Sequence, residues 1–143
     1  MSNSFQITIY RDSVLKITCG IHLQRVIKAK PILLITVISA IENGLIRDNR
    51  IPYDTPFVKL YKQTHNKYGE KITPFFKPYY YMQYEDFWHL KWKTKEDLSV
   101  RPSMSMLNEY IEYAYLDNAL WDLWQDQTIR DEFRSIIESN FLK

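Results

Sequence analysis

The most apolar stretch of the chain covers residues 31–41 and predicts a helix that is buried on all sides. Pro31 suits the first turn of such a helix, because proline lacks the N–H group that finds no partner there. The pair Asn43-Gly44 predicts its end, since glycine readily adopts the left-handed conformation that closes helices. The stretch is 11 residues long, far short of the roughly 20 apolar residues needed to cross a bilayer. We therefore expect a helix at the centre of a globular core.

Two further helices are predicted on either side of this central one. Apolar residues at helical spacing predict a helix over 55–68 that ends at Gly69, and a shorter one over 11–19 closed by Gly20. Residues 45–52 predict a short extended segment between the central helix and the one that follows it.

The last third of the chain predicts three more helices. The spacing of Leu107, Tyr110, Ile111 and Ala114 is typical of one apolar helix face. Asp117 is expected to cap a second helix, which carries two tryptophans. Thr128, followed three residues later by an acidic residue, is expected to open a final helix.

Residues 73–93 are rich in aromatic side chains and predict two short strands joined by a turn near residues 84–86. Alternation along the second strand places Trp88, Leu90 and Trp92 on one face. The opposite face then carries Phe87, His89, Lys91 and Lys93. Together the elements predict one α+β domain over residues 1–143, mostly helical, with a small antiparallel sheet or hairpin.

Charge is distributed unevenly although the formal net charge is only +2. Residues 22–101 hold fourteen Lys and Arg against eight acidic residues, whereas residues 102–143 hold three against eight. A basic body with an acidic C-terminal segment is compatible with a nucleic-acid face, and equally with an ordinary charged surface.

Catalytic and metal-binding patterns are absent from the sequence. Cys19 is the only cysteine, so no internal disulfide and no zinc-binding cysteine pair can form, and phosphate-binding glycine loops are missing. The nearest approach to a nuclease site is Glu85-Asp86 followed by His89, for which a polar turn before a strand is the simpler interpretation. We expect no cofactor, no metal and no catalytic residue. The chain lacks a secretory signal pattern, which predicts a cytoplasmic protein.

Basic residues precede the central helix and accompany the aromatic segment. Cations and unpaired backbone N–H groups near a helix start can together hold a phosphate. The candidate phosphate-binding residues are Arg25, Lys28, Lys30, Lys77 and Lys91. The candidate pocket residues are Pro78, Tyr79, Tyr81 and His89. Solvated loop lysines, and core packing of at least one tyrosine of the run 79–81, are the competing interpretations.

Several short motifs follow one another along the chain in a specific order and spacing. They are Lys28-Ala29-Lys30-Pro31-Ile32-Leu33-Leu34-Ile35, Asn49-Arg50-Ile51, Pro74-Phe75-Phe76, Phe87-Trp88-His89-Leu90, and Tyr113-Ala114-Tyr115-Leu116-Asp117 continuing through Leu123 to Arg130. Together they resemble the N-terminal domain of HNH-type restriction endonucleases, a bacterial class, and the related DNA sulfur-binding domains of phosphorothioate-dependent restriction enzymes. The resemblance extends from about Ile17 to Phe141.

The resemblance implies a DNA-recognition module rather than a nuclease. In the sulfur-binding relatives, a basic residue before the proline of the central helix and a Tyr-Pro element on the first strand line an apolar pocket for the modified phosphate. Lys30 and Pro78 occupy the corresponding places, whereas Ala29, Lys77 and Asp86 differ from the residues common in that family. The resemblance also implies an HNH nuclease domain as a partner, in cis or in trans, because residues up to Lys143 contain none.

Three classes of function remain open at this point. The leading hypothesis is a module that binds duplex DNA, with RNA as an open alternative target and a modified phosphate as an open specificity. The second is a protein-interaction or structural module that docks through the acidic helices from Asp117 onward, which carry Trp121 and Trp124. The third is an unrecognised hydrolase or nuclease.

Overall fold

The computed structural model of the chain describes residues 3–69 and 71–143. Within these ranges it has seven α-helices, one 3₁₀ helix and four short strands, so the mostly helical α+β fold is confirmed. The helices are α1 (Ser4–Leu15), α2 (Ala29–Asn43), α3 (Thr55–Lys67), α4 (Phe76–Tyr81), α5 (Met104–Tyr110), α6 (Asn118–Leu123) and α7 (Gln127–Phe141), and the 3₁₀ helix is Met82–Tyr84. The strands are β1 (Ile21–His22), β2 (Arg25–Val26), β3 (Trp88–Trp92) and β4 (Ile111–Leu116).

Helix α2 forms the centre of the core, as its uninterrupted apolar sequence predicts. Ten of its 15 residues are buried, and α3, α4 and α7 pack around it. The one buried hydroxyl, on Thr36, donates to the carbonyl oxygen of Ile32 at 2.8 Å, so it needs no partner outside the helix. Gly44 ends the helix at φ 83°, the left-handed conformation expected for its position.

Helix α3 confirms the predicted helix over 55–68. The carboxylate of Asp54 accepts from the backbone N–H of Phe57 at 3.1 Å and so caps the first turn. Helix α1 differs from its prediction: it covers Ser4–Leu15 instead of 11–19, because the chain leaves the helix at Lys16 and Gly20 instead introduces a hairpin.

The predicted hairpin over 73–93 is half wrong. Its second strand exists as β3, but its first half folds into α4 and the 3₁₀ helix. The strand that pairs with β3 is β4, antiparallel, with Trp88 opposite Leu116 and Leu90 opposite Ala114. The predicted helix over 107–114 is therefore also wrong after Tyr110, because that segment gains backbone hydrogen bonds from a strand about twenty residues away in sequence.

Tyr79 joins the central sheet to the segment after α2. Its hydroxyl donates to the carbonyl oxygen of Ile51 at 2.6 Å and accepts from the backbone N–H of Ala114 at 2.9 Å. Ile51 and Ala114 also pair with each other in an isolated bridge. Burial raises the pKa of Tyr79 well above the ordinary value for tyrosine, so its hydroxyl remains a neutral donor.

The acidic C-terminal helices pack onto α1 and α2. Helix α7 is capped by Asp126, whose carboxylate accepts from the N–H groups of Thr128 and Ile129, rather than by Thr128 itself. At the end of α2, the Glu42 carboxylate contacts Arg134 and also accepts from Gln127 at 2.8 Å. Within the described ranges, no helix combines the length and the apolar character needed to cross a bilayer.

Candidate functional site

A concave pocket of about 470 Å³ lies between the start of α2 and the α4 to 3₁₀ segment. Its two lysines come from different elements: Lys30 from the first turn of α2 and Lys77 from the first turn of α4. The uncharged part of its lining includes Ile27, Ala29, Pro78, Tyr81 and Tyr84. The pocket thus combines two cations with a largely apolar wall.

Lys30 is held by Glu85, whose carboxylate lies at the end of the 3₁₀ helix. The Lys30 ammonium donates to Oε2 of Glu85 at 2.6 Å, and the backbone N–H of Thr18 donates to the same oxygen at 3.1 Å. The two side chains are 15% and 10% exposed, so the pair is held nearly out of solvent and in one orientation. Glu85 was not among the residues predicted for a binding site.

Two exposed tyrosines form the rim of the pocket. The rings of Tyr81 and Tyr84 stack with their centroids 6.3 Å apart, and the ring of Tyr80 packs edge-on against Tyr81. Tyr81 and Tyr84 are 44% and 60% exposed, whereas Tyr80 is buried. The rim therefore offers a flat aromatic surface next to the two lysines.

Four of the nine predicted site residues line this pocket, and three of the others, Tyr79, Lys91 and His89, have other surroundings. Tyr79 lies fully inside the core, where it bonds Ile51 and Ala114. Lys91 is an exposed residue of β3, and His89 lies on the same strand beside Asp117. Pro78 does line the pocket, but from helix α4 instead of the predicted strand.

The remaining predicted residues gather around the start of α2. Lys30, Lys77 and Tyr81 line the pocket. Arg25 is an exposed residue of β2, and Lys28 immediately precedes α2. Of the predicted phosphate-binding set, Lys30 and Lys77 therefore meet at the pocket, whereas Arg25 and Lys28 lie on the chain that leads into α2 and Lys91 lies on β3.

His89 belongs to a separate polar cluster. Its Nε2 lies 2.5 Å from Oδ1 of Asp117, and the hydroxyl of Tyr10 donates to Oδ2 of the same carboxylate at 2.8 Å. Burial, helped by the Asp117 carboxylate, raises the pKa of Tyr10 to about 12. The cluster ties α1 to the β3–β4 sheet, and Asp117 uses its carboxylate there instead of capping α6.

No metal centre or thiol nucleophile forms among the described residues. Residues 3–69 and 71–143 contain no group of three His, Cys, Asp or Glu side chains placed to hold a metal ion. Glu85 is engaged by Lys30, and His89 faces Asp117, so the two do not form a nuclease site together. Burial raises the pKa of Cys19, which keeps its thiol protonated at neutral pH.

A broader depression of about 700 Å³ lies elsewhere, against the start of α3 and the α5 to β4 junction. Its one cation, Arg50, lies 5.2 Å from the ring centroid of Tyr113, and the depression also contains Asp54 and Glu112. The two carboxylates outnumber the single guanidinium, which is also engaged by the Tyr113 ring, so this depression would repel an anionic ligand. The smaller pocket is therefore the better candidate for a phosphate-binding site.

Comparison of the chain with models of known protein families and with curated protein sequences found no match. The chemistry of the pocket and its surroundings therefore carries the functional inference that follows.

Proposed function

We propose that this protein is a DNA-binding recognition module, similar in role to the N-terminal domain of HNH-type restriction endonucleases, and that its pocket takes one backbone phosphate of duplex DNA. The supporting observation is that Lys30 of α2 and Lys77 of α4 line one pocket. Lys30, Lys77 and Glu85 together give the pocket a formal charge of +1, which is opposite to the single negative charge of a backbone phosphate. Arg25 and Lys28 extend the positive surface along the chain leading into α2.

The apolar wall favours a phosphorothioate as the modified group. Sulfur is larger and more polarisable than oxygen and is a weak hydrogen-bond acceptor, so it loses little when it is placed against carbon. Ile27 and Pro78 supply such a surface beside the lysines. Glu85 partly neutralises Lys30, which weakens the electrostatic attraction of the pocket for an ordinary phosphate. The apolar contact with sulfur then contributes a larger share of the binding free energy.

DNA cleavage would belong to another component under this proposal. The nuclease would be an HNH domain acting in cis or in trans, and this module would position it on DNA. The ion pair of Glu85 with Lys30 and the pairing of His89 with Asp117 support a binding role, because both leave few free groups for acid or base catalysis.

The alternative of a docking module through the acidic helices has weaker support. Trp124 is fully buried, and Trp121 packs against the core from its edge. These helices therefore lack the exposed aromatic patch that motivated the alternative.

Fluorescence anisotropy of a labelled 20-base-pair duplex tests the proposal, with plain and phosphorothioate duplexes at two salt concentrations. The double variant Lys30→Met/Glu85→Gln removes one of the two pocket cations while preserving the net charge of the protein. We expect it to weaken binding and to reduce the slope of log affinity against log salt by up to about 0.9, less the share of the Lys30 charge that Glu85 already offsets. Lys77→Met is expected to do the same.

Lys91→Met is the matched control, since Lys91 is an exposed lysine outside the pocket. At 0.15 M salt the Debye length is about 8 Å, so exposed charges farther than this from the phosphates are largely screened. We therefore expect Lys91→Met to change the affinity for DNA by less than about twofold. The proposal is wrong if the unmodified protein binds neither duplex at low salt, or if Lys91→Met weakens binding as much as the pocket variants do. Tighter binding of the phosphorothioate duplex would support the modified target, and equal binding would contradict it.

A further inference from the structure

We infer that the β1–β2 hairpin is a base-reading element that enters the major groove of DNA, with Leu23 and Gln24 at its tip in contact with the edges of a base pair. This inference rests on the proposed function, because the phosphate in the pocket sets the position of the groove relative to the hairpin. It adds a second site, outside the pocket, with a separate role: sequence preference.

The base of the hairpin forms part of the wall of the pocket. Gly20 and Ile27 both line the pocket, and the N–H of Ile27 donates to the carbonyl oxygen of Gly20 at 2.7 Å, which closes the base of the hairpin. Beyond this closure β1 and β2 pair in antiparallel register, with His22 opposite Arg25. Any ligand held in the pocket therefore lies directly beside the hairpin.

The hairpin exposes its apolar side chains instead of burying them. Ile21, Leu23 and Val26 are 73%, 83% and 52% exposed. Among the described elements, β1 and β2 are the only ones that give no residue to the buried core, to which all seven helices and the β3–β4 sheet contribute. The core therefore does not account for these apolar residues.

The tip has an unfavourable local conformation. Leu23 and Gln24 have φ values of 51° and 66°, and they are the only non-glycine residues with positive φ in the described ranges. A two-residue turn of this kind favours Asn-Gly, and a leucine there is strained. Strained backbone conformations often occur at ligand-binding sites, and this strain is not offset by burial of the two side chains. It therefore supports a role for Leu23 and Gln24 in contacting a ligand.

The charge of the surrounding chain fits a nucleic acid. No Asp or Glu occurs between Asp12 and Glu42, and the lysines and arginines in that interval are Lys16, Arg25, Lys28 and Lys30. A segment without acids can approach the phosphates on both sides of a groove without repulsion.

The size of the hairpin also fits. Each arm has three residues beyond the Gly20–Ile27 closure, which gives a reach of roughly 10 Å at about 3.3 Å per residue. The major groove is about 8.5 Å deep and admits a two-stranded β-ribbon. A glutamine amide can pair with the N6 and N7 atoms of adenine, and an apolar side chain can contact the methyl group of thymine. The geometry therefore predicts preference for an A·T pair next to the bound phosphate.

The test uses 20-base-pair duplexes that differ only in the base pairs flanking one central linkage, in plain and phosphorothioate form. The key variant is Leu23→Gly/Gln24→Gly, which supplies residues that this turn favours and so preserves the hairpin while removing both base-contacting side chains without adding another amide. We expect the unmodified protein to prefer an A·T pair at one position by roughly tenfold. The variant should lose that preference while its mean affinity stays within about threefold, because phosphate contacts remain.

Leu45→Ser/Gln63→Ala is the matched control. Both residues are exposed, and Leu45 follows the far end of α2; α2 places that end about 22 Å from the pocket end. This control should retain the preference.

The outcomes separate the two proposals. If the unmodified protein binds all duplexes equally, or if Leu23→Gly/Gln24→Gly keeps the preference, the base-reading role is wrong while DNA binding stands. If no duplex is bound, the proposed function fails and the base-reading role fails with it.

Discussion

Tyr79 and Tyr81 lie two residues apart in one aromatic run, and their environments are opposite. Tyr79 is fully buried and its hydroxyl bonds two backbone groups, whereas Tyr81 is 44% exposed at the rim of the pocket. On a strand, residues two apart would share a face, but on a helix they point in directions about 200° apart. The helical conformation of α4 therefore decides which tyrosine supports the core and which one borders the site.

Removal of the Tyr79 hydroxyl is predicted to destabilise the fold. Tyr79→Phe leaves the Ile51–Ala114 bridge without the buried group that bonds both of its partners, so we expect a loss of about 1–2 kcal/mol in the free energy of unfolding. Tyr81→Phe is the matched control and should change stability by less than about 0.5 kcal/mol. Urea unfolding measures both. Equal effects of the two variants would contradict the placement of Tyr79.

Glu85 is the residue of the candidate site that sequence reasoning missed. It pairs with a lysine 55 positions earlier in the chain, and no local pattern connects two residues so far apart. The sequence did indicate a polar turn at this position, which is where the 3₁₀ helix ends. The identity of its partner depends on how α4 packs against α2.

Neutralisation of Glu85 is predicted to strengthen DNA binding and weaken the fold. Glu85→Gln keeps an oxygen acceptor for Thr18 but leaves Lys30 without a counter-charge, so we expect a loss of about 1–2 kcal/mol in unfolding free energy. Lys30 would then act as a full cation toward phosphate, and the salt slope of binding should steepen by up to about 0.9.

Anisotropy titrations over a salt series measure this effect. Asp86→Asn is the control, because Asp86 is the adjacent exposed carboxylate and does not line the pocket. A weaker affinity of Glu85→Gln for plain DNA, at temperatures where it is folded, would show that the carboxylate orients Lys30 for binding rather than competing with the phosphate.

Among the elements, helices bounded by strong local signals were predicted well. Helix α2 lies between a proline in its first turn and Gly44, and α3 begins after a capping aspartate, so local chemistry fixes both. Segments that depend on distant partners were predicted poorly. The apolar spacing in 107–114 fits a helix face, yet residues 111–116 form β4 because β3 supplies their hydrogen bonds.

In the candidate site, too, features set by local sequence were predictable and features set by distant contacts were not. Lys30, next to the helix start, could be located from the sequence, as could the basic character of the chain before it. Lys77, Pro78 and Tyr81 line the same pocket as Lys30, as the sequence predicts, although they do so from helix α4 and not from the predicted strand. Lys91 and His89 lie on the less buried face of β3, as alternation predicts, but neither lines the pocket.

The contact between α2 and α7 predicts a specific dependence of stability on pH. Burial alone would raise the pKa of Glu42, but hydrogen bonds from Arg134 and Gln127 outweigh it and hold the pKa below the ordinary value of 4.5. A carboxyl group with a lowered pKa in the folded state contributes stability above pH 4.5, and that contribution disappears as the pH falls through the folded-state pKa.

We therefore expect Glu42→Gln to cost about 1 kcal/mol at pH 7, and this cost to shrink as the pH falls below 4.5. Urea unfolding at pH 7, 5, 4 and 3 measures the difference between the two proteins. Glu132→Gln on the exposed face of α7 is the control and should show little difference at any of these pH values. A cost that stays constant from pH 7 to pH 3 would contradict the charge-based contact.

At the scale of the whole molecule, one buried cluster connects elements from both ends of the chain. It includes Val14 of α1, Leu33 of α2, Trp88 of β3 and Phe133 of α7. Such a continuous core predicts cooperative unfolding without separately melting halves.

Tryptophan fluorescence and far-ultraviolet circular dichroism are expected to report the same urea midpoint, with a slope of about 1–3 kcal/mol per molar urea. Trp88 lies in the central sheet and Trp124 follows α6, and both are buried. The substitution Trp124→Phe removes the fluorescence signal of the second site, so that Trp88 becomes the buried reporter. The midpoint reported by the remaining tryptophans of that variant should coincide with its own circular dichroism midpoint. Two separated transitions would contradict a single cooperative core.

The central position of α2 also has a consequence for biosynthesis. Helix α2 is complete at residue 43, but α7, one of the helices that cover it, is formed by residues 127–141. During translation this apolar helix therefore stays partly uncovered until residues 127–141 have left the ribosome. A nascent chain stalled before residue 127 would expose this surface, which makes it a natural substrate for chaperones that bind apolar helices.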